Sequence, residues 1–195
     1  NDRKPARHPD LTPQLAAAAK LGPMSALPER IVCLTEEPTE VLYALSQERR
    51  IVGISGFTMR PARARAEKPR ISAFTSAKID RIVELKPDLA IGFSDLQADI
   101  AAALIKRGVE VWISNHRSVE QILGYVQRLG AIVGAADAAR DYAQQLQTGL
   151  LRTRQAAAKL LRRPRVYFEE WDSPPISAIR WVSELIAIAG GDDVF

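Results

Sequence analysis

The chain has 195 residues, 26% charged and 47% hydrophobic: enough for one good core and the start of a second domain, and too balanced for global disorder. No run of about 18 apolar residues occurs, so no membrane-spanning helix and no direct membrane insertion are expected. The 27 basic and 23 acidic residues leave a formal charge of +4, and the basic patches Arg60 to Arg65 and Arg162 to Arg165 carry no aromatic residues, which argues against nucleic-acid binding.

Residues 1–28 are polar and proline-rich, broken only by Leu15 to Leu21, and read as a flexible tail or an added N-terminal segment. Met24 is a candidate start, and His8 is expected to be solvated. The stretch after Asn1 to Arg7 is too polar for the apolar core of a signal peptide, so a leader was either removed or never present. Cys33 is the sole cysteine; no internal disulfide can form, and a buried inert thiol is expected.

From Glu29 strands and helices alternate. Ile31 to Leu34 reads as a strand, and Pro38 suits the first turn of a helix carrying Val41, Leu42 and Leu45. Ile51 to Ile54 is a second strand, and Ser55 to Thr75 a long loop with Gly56, Pro61 and Pro69. Ser76 is the candidate N-cap of a helix carrying Ile79, Ile82, Val83 and Leu85; Pro87 ends it, and Leu89 to Ile91 form a buried strand. Ser94 and Gln97 have capping-box spacing ahead of a helix that buries Leu96, Ile100 and Leu104, with Gly108 at its end. Val109 to Ile113 is the next strand, and Ser118 and Gln121 repeat the capping box of a helix reaching Leu129 or Val133.

This alternation predicts an α/β fold: a Rossmann-like lobe over residues 29–134 with a mostly parallel sheet. Residues 135–163, free of proline, predict one long α-helix, with Tyr142, Leu146, Leu150, Thr153, Ala157 and Leu160 on one face. Residues 164–195 then begin a second α/β unit, with a strand at Arg165 to Phe168 and a helix at Ile179 to Ala189. One strand and one helix bury too little apolar surface alone. Val166, Phe168, Trp181, Leu185 and Ile188 are therefore expected to face water, fold back, or pair with a second chain as a dimer.

No phosphate-binding glycine loop follows the first strand, where Thr35-Glu36-Glu37-Pro38 would repel a phosphate. No nucleophile elbow, paired-cysteine or zinc-protease motif is present, and no metal site or resident cofactor is expected. Ligands of open α/β sheets collect outside the carboxyl ends of strands. Phe74 and Phe93 flank the third predicted strand and are candidates for one cleft wall; Phe57 and Trp171 also follow strands, with core packing the competing reading for each. Glu36, Glu37, Glu169, Glu170 and Asp172 fall after the first strand of each unit, facing the cleft or solvated. His116 lies past the fourth predicted strand, where a site residue or a structural histidine fits.

The stretch IVELKPDLAIGF, residues 82–93, resembles the periplasmic binding proteins that feed cobalamin, haem and ferric-siderophore ABC importers. PERIVCLTEEPTEVLYAL, RIVGISGFTMRP, GVEVWISNHRSVEQI, RPRVYFEEWDSPP and IAGGDDVF resemble further segments of that family in the same order, over residues 29–195, with the cobalamin binders most similar. The resemblance implies two lobes joined by one rigid helix, a second lobe that continues past the GGDDVF segment, capture of a large metal chelate without bond making, and periplasmic location. Carried over by position, Phe57 or Thr58, Phe74 and Phe93 would pack on the ligand, and Asp80 would dock to arginines of the importer permease. Cobalamin binders often place tyrosine and tryptophan where this chain has phenylalanine. Ferric-siderophore or haem binding is the alternative within the class. A cytoplasmic enzyme or metal-chelate handling protein is the alternative outside it.

Overall fold

A computed structural model describes residues 27–195; the segment 1–26, with His8 and Met24, lies outside the described residues. Five parallel strands form the main sheet: β1 (Ile31–Cys33), β2 (Ile51–Ser55), β3 (Arg70–Ser72), β4 (Leu89–Phe93) and β5 (Val111–Ser114), in spatial order β3-β2-β1-β4-β5. The chain winds outward from β1 to β3, then crosses back to β4 on the other side of β1. That reversal opens a crevice between the carboxyl ends of β1 and β4.

Alternation along the strands divides the core into two layers. Ile31, Cys33, Leu89 and Ile91 face α1 (Glu36–Ala44), α5 (Val119–Ile132) and α6 (Ala136–Ala157). Val32, Leu34 and Ala90 face Ile82, Ile100 and Leu104, which lie on α3 (Ile79–Glu84) and α4 (Ala98–Lys106). Apolar side chains cover both sheet faces, and β1 is fully buried.

The predicted loop from Ser55 to Thr75 holds a one-turn helix, α2 (Ala64–Glu67), and the edge strand β3. Three residues with only Ile71 buried leave too short a pattern to read as a strand. Ser76 does not cap α3: Lys78 holds that position, and the Ser76 carbonyl instead accepts from the Ala73 amide. Leu96 is 61% exposed, because Asp95–Gln97 form a 3-10 turn that rotates it off the core. Gly108, at φ +79°, ends α4 as expected, with the Val109 amide donating to Leu104 O. Val109 is buried, but β5 begins at Val111.

The long helix α6 has 22 residues, about 33 Å. Its fully buried face is Ala139 and Ala143, packed on α5, whereas Leu146 and Leu160 of the predicted stripe are exposed. Small residues let the two helices approach closely. A Cβ built on Gly130 of α5 would fall 2.1 Å from the Ala139 Cβ. Past α6, β6 (Arg165–Val166) pairs in parallel with β9 (Asp192–Asp193), and β7 (Glu169–Asp172) with β8 (Pro175–Ser177) makes an antiparallel hairpin. The helix α7 (Arg180–Ile188) leans back over the first unit, and Glu184 Oε2 accepts from the Val119 amide at 2.7 Å. Phe168 and Leu185 stay exposed, as expected, while Val166, Trp181 and Ile188 are partly covered.

Candidate functional site

The carboxyl ends of the strands bring together a cleft of about 540 Å³, lined among others by Glu36, Glu37, Phe74, Phe93, His116 and Glu170. A hollow of about 570 Å³ lies at the opposite, amino ends of β4 and β5, lined by Leu27, Pro28, Asp88, Leu89, Glu110, Val111, Trp112 and Ile132. The first is the candidate site, because the strand-end loops and helix N-termini converge there and not at the second.

One wall is aromatic. The Phe93 ring lies 4.7 Å from His116, and Trp181 of α7 sits 5.7 Å from both. Behind them His116 meets Tyr125 at 4.9 Å, and Tyr125 stacks on Trp112 at 5.3 Å. The Arg117 guanidinium lies 5.3 Å over the Phe93 ring and pairs with Asp95 at 3.3 Å. His116 Nδ1 and Ser114 Oγ share a hydrogen bond of 2.9 Å. Burial lowers the His116 pKa to about 4, helped by the charges of Arg128 and Arg117, so the ring is neutral near pH 7.

The acidic side is set by α1. Thr35 ends the β1 turn, and its hydroxyl donates to Glu37 Oε1 at 2.8 Å. Burial pushes the Glu37 carboxyl up to about 7, against the opposing effect of that hydrogen bond. Cys33, beneath, is buried, and desolvation pushes its thiol up to about 12, so it is an inert packing group.

Gln97 ties the rim together. Its side chain accepts from the Phe93 amide at 3.0 Å and donates to the Phe74 carbonyl at 2.8 Å. The capping-box spacing is real, but the glutamine reaches the residue before the cap, as Gln121 does to Arg117 N at 2.6 Å. Ser94 and Ser118 cap through their hydroxyls, accepting from Leu96 N and Gln121 N.

The other predicted residues lie elsewhere. Phe57 is 56% exposed, and Thr58 is buried; neither lines the cleft. Trp171 is 60% exposed on the hairpin, its indole N–H turned to Ser173 O, and Glu169 accepts from the Tyr167 hydroxyl. The β7–β8 hairpin points them outward, leaving only Glu170 on the cleft. Asp80 is exposed on the first turn of α3 and pairs with Arg107 at 2.7 Å. Arg60, Arg117, Tyr125, Ile179 and Trp181 line the cleft without having been singled out for it. Tyr125 reads as a core helix position, and only the packing of α7 brings Trp181 to Phe93. Among the described residues no cluster of three or more metal-ligating side chains occurs, and no helix is long and apolar enough to cross a membrane.

A parallel sheet with a crevice at its topological switch point and an aromatic wall defines an α/β ligand-binding unit. The chain belongs to the periplasmic binding protein family, which it matches over residues 31–195. It is 28% identical over 175 residues to the vitamin B12-binding protein of Vibrio cholerae serotype O1, covering 86% of this chain and 61% of that relative. In structure it is similar to the periplasmic vitamin B12 binding protein BtuF of Vibrio cholerae, with a TM-score of 0.72, 24% identity, and 86% and 66% of the two chains covered. It is also similar to a periplasmic heme binding protein from Pseudomonas aeruginosa, with a TM-score of 0.75, 21% identity, and 86% and 63% covered. The chain thus spans about 61% of the length of the curated relative.

Proposed function

We propose that this chain is the ligand-capturing part of an importer system and that its ligand is a corrinoid. The observation that carries the reading is the tier of Phe93, His116 and Trp181 at the carboxyl ends of β4 and β5. A flat, largely apolar macrocycle needs such a wall, with a few polar groups at its edge. The cleft supplies these as Glu36, Glu37, Glu170, Arg60 and Arg117. The sequence relative that binds vitamin B12 favours a corrinoid over haem, which the structural likeness to a haem binder keeps as the second reading.

On this reading no bond is made or broken, the protein works in the periplasm, and Asp80 docks to the permease of an ABC importer. A dimer through the exposed apolar groups of residues 165–195, including Phe168, Ile176 and Leu185, belongs to the same proposal and is checked by light scattering. The deciding experiment is incubation with cyanocobalamin, or with haem in parallel, followed by desalting and an absorbance spectrum. Retention of the corrinoid band supports the reading. Retention of haem alone replaces it with the second one, and retention of neither overturns both.

A further inference from the structure

Gln97 is wholly buried in the 3-10 turn between β4 and α4 and does not itself line the cleft. A buried carboxamide costs stability unless its polar groups are bonded, and here both ends are used. Oε1 accepts from the Phe93 amide at 3.0 Å, and Nε2 donates to the Phe74 carbonyl at 2.8 Å, with the Leu34 carbonyl at 3.5 Å. The first contact follows from register. β1 pairs with β4 as far as Cys33 and Ile91, and the Leu34 amide still donates to Ile91 O. Beyond that point the chain turns into α1, and the Gln97 carboxamide takes over the Phe93 amide. Gly92 leaves the room for it, since a Cβ there would stand 2.3 Å from Gln97 Oε1. The second contact reaches across the sheet. Phe74 follows β3 and Phe93 ends β4; β2 and β1 stand between these strands, so no ladder joins the two cleft residues. The Phe74 loop closes on its own strand, through Ala73 N to Ser76 O and Lys78 N to Ile71 O. Gln97 is anchored at the start of α4, its amide donating to Ser94 O while the Ser94 hydroxyl accepts from Leu96 N.

We propose that Gln97 is a positioning residue: it hangs the Phe74 loop on β4, so that Phe74 and Phe93 stand in place on the cleft before a ligand arrives. Without that bond the loop also samples positions that carry Phe74 off the cleft. Apparent affinity then falls by the fraction of molecules that stay competent, because the ligand must order the loop as it binds. The inference rests on the reading of the cleft as the ligand site and names what sets its aromatic residues relative to one another.

The test pairs hydrogen exchange of the unliganded protein with calorimetric titration of cyanocobalamin, on the wild type, Gln97→Met, Phe74→Ala and the double variant. Methionine keeps the shape of the side chain and removes both hydrogen bonds. In Gln97→Met, exchange at the Ala73 and Lys78 amides should quicken by more than exchange in β5 does. Affinity should fall about threefold, no further than in Phe74→Ala, and Gln97→Met should add nothing in the Phe74→Ala background. Gln97→Glu keeps an acceptor for the Phe93 amide and loses the donor to Phe74. It should reproduce both effects, and it carries the test where Gln97→Met fails to fold. Unchanged affinity in both Gln97 variants overturns the inference, making Gln97 a fold-stabilising residue and leaving the corrinoid reading standing. Losses that add in full in the double variant also overturn it, since Gln97 then acts on something other than Phe74. So does exchange that quickens equally in the loop and in β5. A wild type that binds haem and no corrinoid overturns the corrinoid reading alone, and the same titrations with haem then decide the inference. A wild type that binds neither overturns both.

Discussion

Glu37 and His116 sit on the same cleft and titrate in opposite senses, which predicts an unusual dependence of stability on pH. In the unfolded chain they return to their ordinary values of 4.5 and 6.5; in the fold Glu37 lies at about 7 and His116 at about 4. Folded Glu37 keeps a proton that the unfolded chain has released, so its contribution is complete below pH 4.5 and is lost as pH rises through 7. Folded His116 stays neutral where the unfolded chain is protonated, so its contribution is complete above pH 6.5 and is lost as pH falls through 4. Each gap corresponds to about 3 kcal/mol, and the solvent that reaches the cleft reduces this to about 1–2 kcal/mol. Between pH 4.5 and 6.5 the two slopes cancel in the wild type. Urea denaturation across pH 4 to 8, taken as the difference between variant and wild type, separates them. Glu37→Gln should reveal a profile that climbs by about 1–2 kcal/mol toward pH 6.5, and His116→Asn one that falls by a similar amount toward pH 7. Difference profiles that stay flat for both variants would refute the assignment of either group.

Four further outcomes follow from the packing. Phe93→Ala removes the ring that meets His116 and Trp181, and should weaken cyanocobalamin binding about tenfold or more by calorimetry, with Phe74→Ala the milder change. Gly130→Ala forces a methyl group against the Ala139 Cβ and should cost about 1–3 kcal/mol in thermal or urea unfolding; a neutral result would mean α5 and α6 can part freely. Glu184→Ala removes the acceptor of the Val119 amide and should cost about 1 kcal/mol, speeding hydrogen exchange at Val119 and proteolysis within residues 165–195. Asp80→Ala breaks only an exposed pair with Arg107, so stability should change by less than about 1 kcal/mol and ligand affinity not at all; undiminished transport would remove its docking role.

Much of the fold is written in local patterns that need no partner to be read. Apolar runs mark β1, β2, β4 and β5, and their alternation with helices dictates parallel strands, which place Glu36, Glu37, Phe93 and His116 at one end of the sheet. The rule that a residue after a strand faces the cleft fails where local geometry turns the chain. Phe57 stands at the exposed tip of a turn closed by the Thr58 amide donating to Ser55 O, and the β7–β8 hairpin points Trp171 away. Tyr125 was hidden by its own regularity, since with Val126 and Leu129 it looks like any buried helix face. For Trp181 the sequence leaves water, folding back and pairing open, because nothing near it reveals that Glu184 ties α7 to the start of α5. Gln97 shows a motif read correctly in spacing and incompletely in role: the capping partner also cross-links two loops of the rim.

The two ends of the sheet also differ in how well their polar groups are satisfied, and this favours one end as the candidate site without reference to any relative. At the amino end, Asp88 accepts from the amides of Glu29 and Arg30 at 2.7 and 2.9 Å, and the Arg30 side chain donates to the carbonyls of Leu85 and Lys86. One buried oxygen of Glu48 lacks a partner there. At the carboxyl end the Tyr125 hydroxyl is buried without a partner, and Ser94, also on the cleft, holds a left-handed φ of 69°. Glu37 and His116, beside them, are both pushed toward their neutral forms by burial. Each departure costs folding free energy that an apolar or fully bonded residue would not. Groups held under such a cost, at the end of the sheet where the strand order reverses, mark that end as the candidate site. The amino-end hollow of similar size has the space but not this concentration of unmet polar demand, and it should bind neither corrinoid nor haem.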